Sequence, residues 1–309
     1  MGSELKGWRL NGRVSVSLGE VAYGVYGEGP PVVLVHGTPS RSCIWRGVVP
    51  TLAEGHAVYV YDLLGFGESE RGEGQDVSIA AQGRGLSELI EAWGLDEPRV
   101  AGHDIGGGIA LRTHLLEGVP FERISLLDAV VLTPWGTPSL RHVKEHLGVY
   151  RTMPNDVFEA YVAARLGQAT SRPMDEGVFE AYLSQWRGVA GQAAYLRKDE
   201  ALLERDTAEL EPLLGAIGVP VQVAWGEEDG WLDPSQARLL VEKIPNPQNH
   251  RRRLSRSQLV GGSTQRGLIP SILEKAQPAL HASCTSRCGR DAPPRWSLRR
   301  SRHTGLWSQ

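Results

Sequence analysis

The chain opens on alternation. Val14, Val16 and Leu18, and then Val21, Tyr23 and Val25, place an apolar side chain at every second position. A period of two on either side of Gly19-Glu20 predicts an antiparallel lead-in hairpin. The pattern then shifts to short uninterrupted apolar runs: Val32-Val33-Leu34-Val35, Ala57-Val58-Tyr59-Val60-Tyr61, Val100-Ala101, Ile124-Ser125-Leu126-Leu127 and Val221-Gln222-Val223-Ala224-Trp225. Runs this short, bounded by turn residues, are those of parallel strands buried on both faces. Helical periods separate them. One helix, capped by Asp76, is expected to reach about Trp93 with Ile79, Leu86, Leu89, Ile90 and Trp93 on one face. Another covers Ile109 to Leu116. Strands alternating with helices predict an α/β fold, a mostly parallel sheet with helices on both faces.

The strand signal stops near Leu132. Residues 132–212 show only helical periods, including Asn155 to Leu166 and Asp175 to Trp186. They read as a helical insertion that divides the core into residues 1–131 and 213–246. Asp233-Pro234 starts a further helix that reaches Ile244. A chain of 309 residues accommodates one large domain with such an insertion. No apolar run reaches the ~20 residues that cross a bilayer. Three cysteines, Cys43, Cys284 and Cys288, make no disulfide framework and fit a cytoplasmic setting.

Charge changes the picture beyond Pro245. Residues 251–309 hold 12 of the 33 Lys and Arg but only 2 of the 36 Asp and Glu. Hydrophobic periodicity ends at the same place, and no buried strand is expected there. One hypothesis accounts for both changes: from about residue 247 the chain is read in a shifted frame. The other two frames of the gene check it. One of them should encode a further strand and a helix, and the absence of both discards the idea. A basic arm for nucleic acid is disfavoured, because the arginines belong to no recognisable nucleic-acid-binding module.

The candidate chemistry centres on Val100-Ala101-Gly102-His103-Asp104-Ile105-Gly106-Gly107-Gly108. A short strand, a small residue, one presented side chain and then glycines before a helix form the pattern of a strained strand-to-helix elbow. The presented residue is Asp104. A carboxylate there can attack an electrophilic carbon and form an ester with the substrate. As a bland alternative, Asp104 is a helix N-cap. His142-Val143-Lys144-Glu145-His146 matches a zinc-hydrolase spacing, but a solvated helix face is the expected reading. His281, Cys284 and Cys288 do not complete a metal site. Gly106-Gly107-Gly108 does not fit a dinucleotide fingerprint.

His36-Gly37-Thr38-Pro39, Gly65-Phe66-Gly67, the Gly102 to Gly107 elbow and Trp225-Gly226-Glu227-Glu228-Asp229 follow one another in the order of an α/β-hydrolase. Over residues 13–246 the chain resembles the aspartate-nucleophile branch of that fold, the haloalkane dehalogenases and epoxide hydrolases. The resemblance implies Asp104 as nucleophile and backbone N–H groups of Thr38 and Ile105 as an oxyanion hole. It implies Asp229, or alternatively Asp128, as the acid that orients a histidine. The insertion becomes a cap over a small-molecule substrate. No cofactor, metal, nucleic acid or membrane is implied, and the protein is expected as a monomer or homodimer.

Two departures bear on activity. Dehalogenases of this kind carry a Trp after the nucleophile to hold the halide, where this chain has Ile105, and their common Asn is here Thr38. Epoxide hydrolases share His-Gly-x-Pro and protonate the opening oxygen with cap tyrosines, for which Tyr150, Tyr161, Tyr182 and Tyr195 are candidates. The family's histidine is preceded by an apolar strand and Gly. His250, His281 and His303 follow Asp229 without that context, and His250 is the nearest. A chain lacking the base would bind ligand without turnover.

Overall fold

The computed structural model describes residues 8–170 and 173–245, together with the backbone of 247–248 and 253–254. Strands β1 (Gly12–Val16) and β2 (Gly19–Tyr26) form the expected hairpin, with Val14 opposite Val21. Next come β3 (Pro31–Val35), β4 (Ala57–Tyr61), β5 (Arg99–His103), β6 (Arg123–Leu127) and β7 (Val221–Gly226). The sheet order is β1-β2-β4-β3-β5-β6-β7. β2 joins β4 antiparallel, and every neighbour from β4 to β7 is parallel. Val32 to Val35, Val100, Ala101, Ile124, Leu126, Leu127 and Val221 are buried. A strand covered on both faces needs apolar side chains in both directions, and the uninterrupted runs supply them.

Two short stretches depart from expectation. β8 (Pro247–Gln248) and β9 (Arg253–Leu254) pair parallel with β7, where the sequence shows no strand. Two-residue strands containing Pro, Gln and Arg carry no period. His250, His281, His303, Cys284 and Cys288 lie outside the described residues.

Between β3 and β4 lies a 3-10 turn (Ser42–Gly47) followed by α1 (Val49–Leu52). Helix α2 (Ile79–Ala92) is capped by Ser78, whose side chain accepts from the Ala81 N–H. Asp76 is not the cap. Its Oδ1 accepts from the Ser78 N–H at 3.0 Å and so holds the capping residue in place. Helix α3 (Ile105–Leu115) follows β5 directly and packs against α2.

Helices α4 (Pro138–Glu145), α5 (Leu147–Arg151), α6 (Asn155–Gly167), α7 (Glu176–Leu183), α8 (Gly188–Ala201) and α9 (Arg205–Ala208) lie between β6 and β7. Polar contacts fasten this block to the loop after β3. Trp186 Nε1 donates to the Pro39 carbonyl at 3.0 Å, and Gln185 Nε2 donates to the Pro39 and Ser40 carbonyls. The Gln185 Oε1 accepts from the Gly67 N–H at 2.8 Å. After β7 comes α10 (Ser235–Lys243). Among the described residues no helix is long and apolar enough to cross a membrane.

Candidate active site

Local sequence builds the turn between β5 and α3. Asp104 adopts φ 56° and ψ −126°, a conformation that L-residues rarely take. Three main-chain bonds hold it there. Its N–H donates to the Leu127 carbonyl at 3.1 Å, and its own carbonyl accepts from the Gly107 and Val130 N–H groups at 3.0 Å each. The flanking glycines are required by close approach. A Cβ on Gly102 would meet the Gly106 carbonyl oxygen at 2.3 Å, and one on Gly106 would meet the Val35 oxygen at 2.4 Å. No side-chain capping bond is made by Asp104, although it stands at the start of α3. The helix-cap alternative therefore does not explain the residue.

The carboxylate meets the loop after β3. The Thr38 N–H donates to Asp104 Oδ2 at 2.6 Å, and the Ile105 N–H donates to the same side chain. Burial pushes the Asp104 carboxyl up to about 7 against the pull of these two donors. The Asp229 charge adds to the rise, and the Lys198 charge opposes it.

Two cavities of about 60 Å³ each meet at Thr38, Pro39, Asp104, Trp231 and Leu232. His103, Asp128, Tyr182 and Asp229 line the first. Both candidate acids thus face the space beside Asp104. Asp229 Oδ1 accepts from the Trp231 and Leu232 N–H groups at 2.8 and 3.1 Å, and Asp128 Oδ1 accepts from the Gly226 N–H at 2.7 Å. The second cavity is lined by Ile105, Tyr161, Arg165, Tyr195, Lys198 and Asp199. Of the four tyrosines, Tyr161 and Tyr195 share this cavity with Asp104. Tyr182 faces the first, and its hydroxyl accepts from Arg46 at 3.4 Å. Tyr150 lines neither and packs 5.3 Å from the Tyr161 ring.

His36 is structural, as its sequence context suggests. Its Nε2 accepts from the Leu63 N–H at 2.9 Å, and burial pulls it down to about 4, so it is neutral. His103 is likewise pulled to about 4 by burial, with His36 adding to the effect. His142 and His146 are exposed, with rings 4.5 Å apart. Among the described residues no group of side chains could hold a metal ion.

Arg165, Lys198, Asp199 and Trp231 escape sequence reasoning. A signal for two of them is present. Tyr195, Lys198 and Asp199 recur at helical spacing on the buried face of α8, where a Lys-Asp pair is out of place unless it is used. Arg165 lies four residues after Tyr161, and its guanidinium stacks 4.6 Å from the Trp231 ring.

Known proteins share this framework. Haloalkane dehalogenase 2 of Mycobacterium tuberculosis is 27% identical over 225 residues, spanning 69% of this chain and 76% of its own. The crystal structure of an alpha/beta hydrolase fold protein from Burkholderia ambifaria superposes with a TM-score of 0.80 at 33% identity, covering 87% of this chain and 98% of that one. Haloalkane dehalogenase DbeA from Bradyrhizobium elkani shares the fold, with a TM-score of 0.67 at 18% identity over 84% of this chain and 97% of its own. The family model of the alpha/beta hydrolase fold matches residues 30–255. With that match over most of the chain, and with the sheet order and the β5–α3 turn described above, the protein belongs to the alpha/beta hydrolase fold family.

Proposed function

We propose that the protein is a hydrolase of a small epoxide or alkyl halide, with Asp104 as nucleophile on an elbow and the helices between β6 and β7 as its cap. One observation carries this reading: the Thr38 and Ile105 N–H groups donate to the Asp104 carboxylate itself. In an acyl-transfer hydrolase the oxyanion donors await a substrate carbonyl. Here the Thr38 N–H already holds Oδ2, and the Ile105 N–H acts on the same carboxylate. With Oδ2 engaged, Oδ1 attacks the sp3 carbon, and the leaving group departs with the bonding electron pair. Oδ2 then becomes the ester carbonyl oxygen. Water adding to that ester turns Oδ2 into the tetrahedral oxyanion, with the Thr38 N–H already in place to receive it. Asp229, or Asp128 in its place, orients the group that activates this water. The route consumes only substrate and water. A cytoplasmic monomer or homodimer fits the reading, with Cys43 as a buried free thiol.

Intact-protein mass spectrometry tests the nucleophile. Under single-turnover conditions, 1-iodobutane or 1,2-epoxybutane is expected to add one alkyl group, located by peptide mapping at Asp104. An unmodified protein with both reagents discards the reading. With 1-iodobutane the rate of that addition should rise with pH through about 7 and level off above it. Only the ionised carboxylate attacks, and burial keeps Asp104 protonated at lower pH. A flat profile between about pH 5 and 9 contradicts this assignment.

A second reading is a ligand-binding relative without turnover. It is favoured by the two cavities beside Asp104, in which the described residues supply no histidine except the strongly acidified His103. It predicts that the alkyl ester accumulates and persists. Repeated turnover with release of alcohol or diol excludes it.

A further inference from the structure

We propose that Lys198 is the catalytic acid of the second cavity, giving its proton to the oxygen of an opening epoxide. The inference rests on Asp104 as nucleophile and assigns the partner on the other side of the reacting carbon. Lys198 is buried on α8 at 3% exposure, in the same cavity as Asp104. Its Nζ lies 2.5 Å from Asp199 Oδ1 and 3.8 Å from the Tyr195 ring centre. Among the described residues Asp199 is the one hydrogen-bond acceptor of an ammonium that carries three donors. A buried ammonium with unspent donors, facing a nucleophile across a cavity, is costly unless something arrives to use it.

The neighbouring phenols are poorer acids. Burial pushes Tyr161 up to about 12 and Tyr195 well above the ordinary tyrosine value. Burial pulls Lys198 the other way, below the ordinary lysine value. The charges facing it, Asp199 and Asp104, restrain that shift, and Arg165 reinforces it. A depressed ammonium gives up a proton more readily than an elevated phenol.

The step balances. Asp104 Oδ1 forms a bond to the epoxide carbon, and the C–O ring bond breaks with its electron pair on the ring oxygen. That oxygen takes a proton from Lys198, leaving a neutral amine beside Asp199. Water later cleaves the ester, regenerating the Asp104 carboxylate and releasing the proton that recharges Lys198. Epoxide and water give the diol.

A departing iodide needs no proton, and this contrast is the test. Lys198→Met alone would strand the Asp199 carboxylate, so the Lys198→Met/Asp199→Asn pair is compared with Asp199→Asn and wild type. Mass spectrometry follows alkylation of Asp104 by 1,2-epoxybutane and by 1-iodobutane. The pair should lose on the order of 100-fold or more with the epoxide and far less with the iodide, whose alkylation feels only the lost charge beside Asp104. Asp199→Asn removes the carboxylate but keeps the ammonium, so its epoxide rate should stay well above that of the pair. Equal losses with the two reagents, or no loss with the epoxide, overturn the role of Lys198. So does an epoxide-selective loss found in Tyr161→Phe or Tyr195→Phe but absent from the Lys198 pair. If wild type is alkylated by neither reagent, the nucleophile assignment itself falls, and this inference falls with it.

Discussion

Asp104→Asn is expected to abolish alkylation by both 1-iodobutane and 1,2-epoxybutane, a fall on the order of 10⁴-fold or more in rate, and at the same time to stabilise the fold above neutral pH. The first effect follows from chemistry. An amide is nearly the same shape and can still accept from the Thr38 N–H, but it has no anionic oxygen to attack carbon. The second follows from linkage. The folded chain holds the Asp104 proton more tightly than the unfolded chain, because burial lifts the carboxyl to about 7. Stability is therefore highest at low pH and is lost as pH rises from about 4 to about 7. A rise from the ordinary carboxylate value to about 7 corresponds to about 4 kcal/mol as an upper bound. Water reaching the half-buried side chain through the two cavities lowers the realised value. The variant should thus melt higher than wild type at pH 8, with the difference shrinking towards pH 4. A variant that keeps alkylating sinks the assignment. A variant less stable than wild type at pH 8 shows instead that the carboxylate holds the elbow together.

Gly106→Ala should be among the most damaging single-methyl changes in the core. Its Cβ would stand 2.4 Å from the Val35 oxygen and 2.7 Å from the His36 oxygen. β3 cannot retreat, because Leu34 is paired with Val60 on one side and Ala101 on the other. A loss of about 3 kcal/mol or more is expected, at the high end for overpacking, read as a fall in the denaturation midpoint or in soluble yield. Gly148→Ala is the control. It lies on exposed α5 with nothing within 4 Å of the added carbon, and should be neutral or stabilising by up to ~1 kcal/mol. Similar behaviour of the two variants contradicts the packing argument.

The sheet and the turn at Asp104 were legible in the sequence because each depends on neighbours along the chain. Val32 to Val35 reads as a buried strand from composition alone, and Gly102 and Gly106 reveal a close backbone approach before any partner is known. The face that a helix presents to a distant residue is not local. Lys198 and Asp199 look like a solvated pair until α8 is laid beside Asp104. Asp128 and Asp229 stood as alternatives for the same reason: both end a strand, and the fold brings both to one cavity. Ser78 and Asp76 are both good caps by type, and only the Ala81 N–H decides between them. The strands at 247–248 and 253–254 are too short and too polar to leave a period.

β6 and β7 are adjacent in the sheet, with Leu127 paired to Ala224, yet the whole helical block is spliced between them. The chain leaves and re-enters the core at neighbouring points, so the sheet closes without help from anything inserted there. Such a block can be shortened, exchanged or redecorated by recombination while the elbow stays intact. In lineage terms, under the proposed function the residues of the block can drift faster than Asp104 and its turn, and a library confined to residues 138–208 is expected to shift substrate preference while sparing the fold.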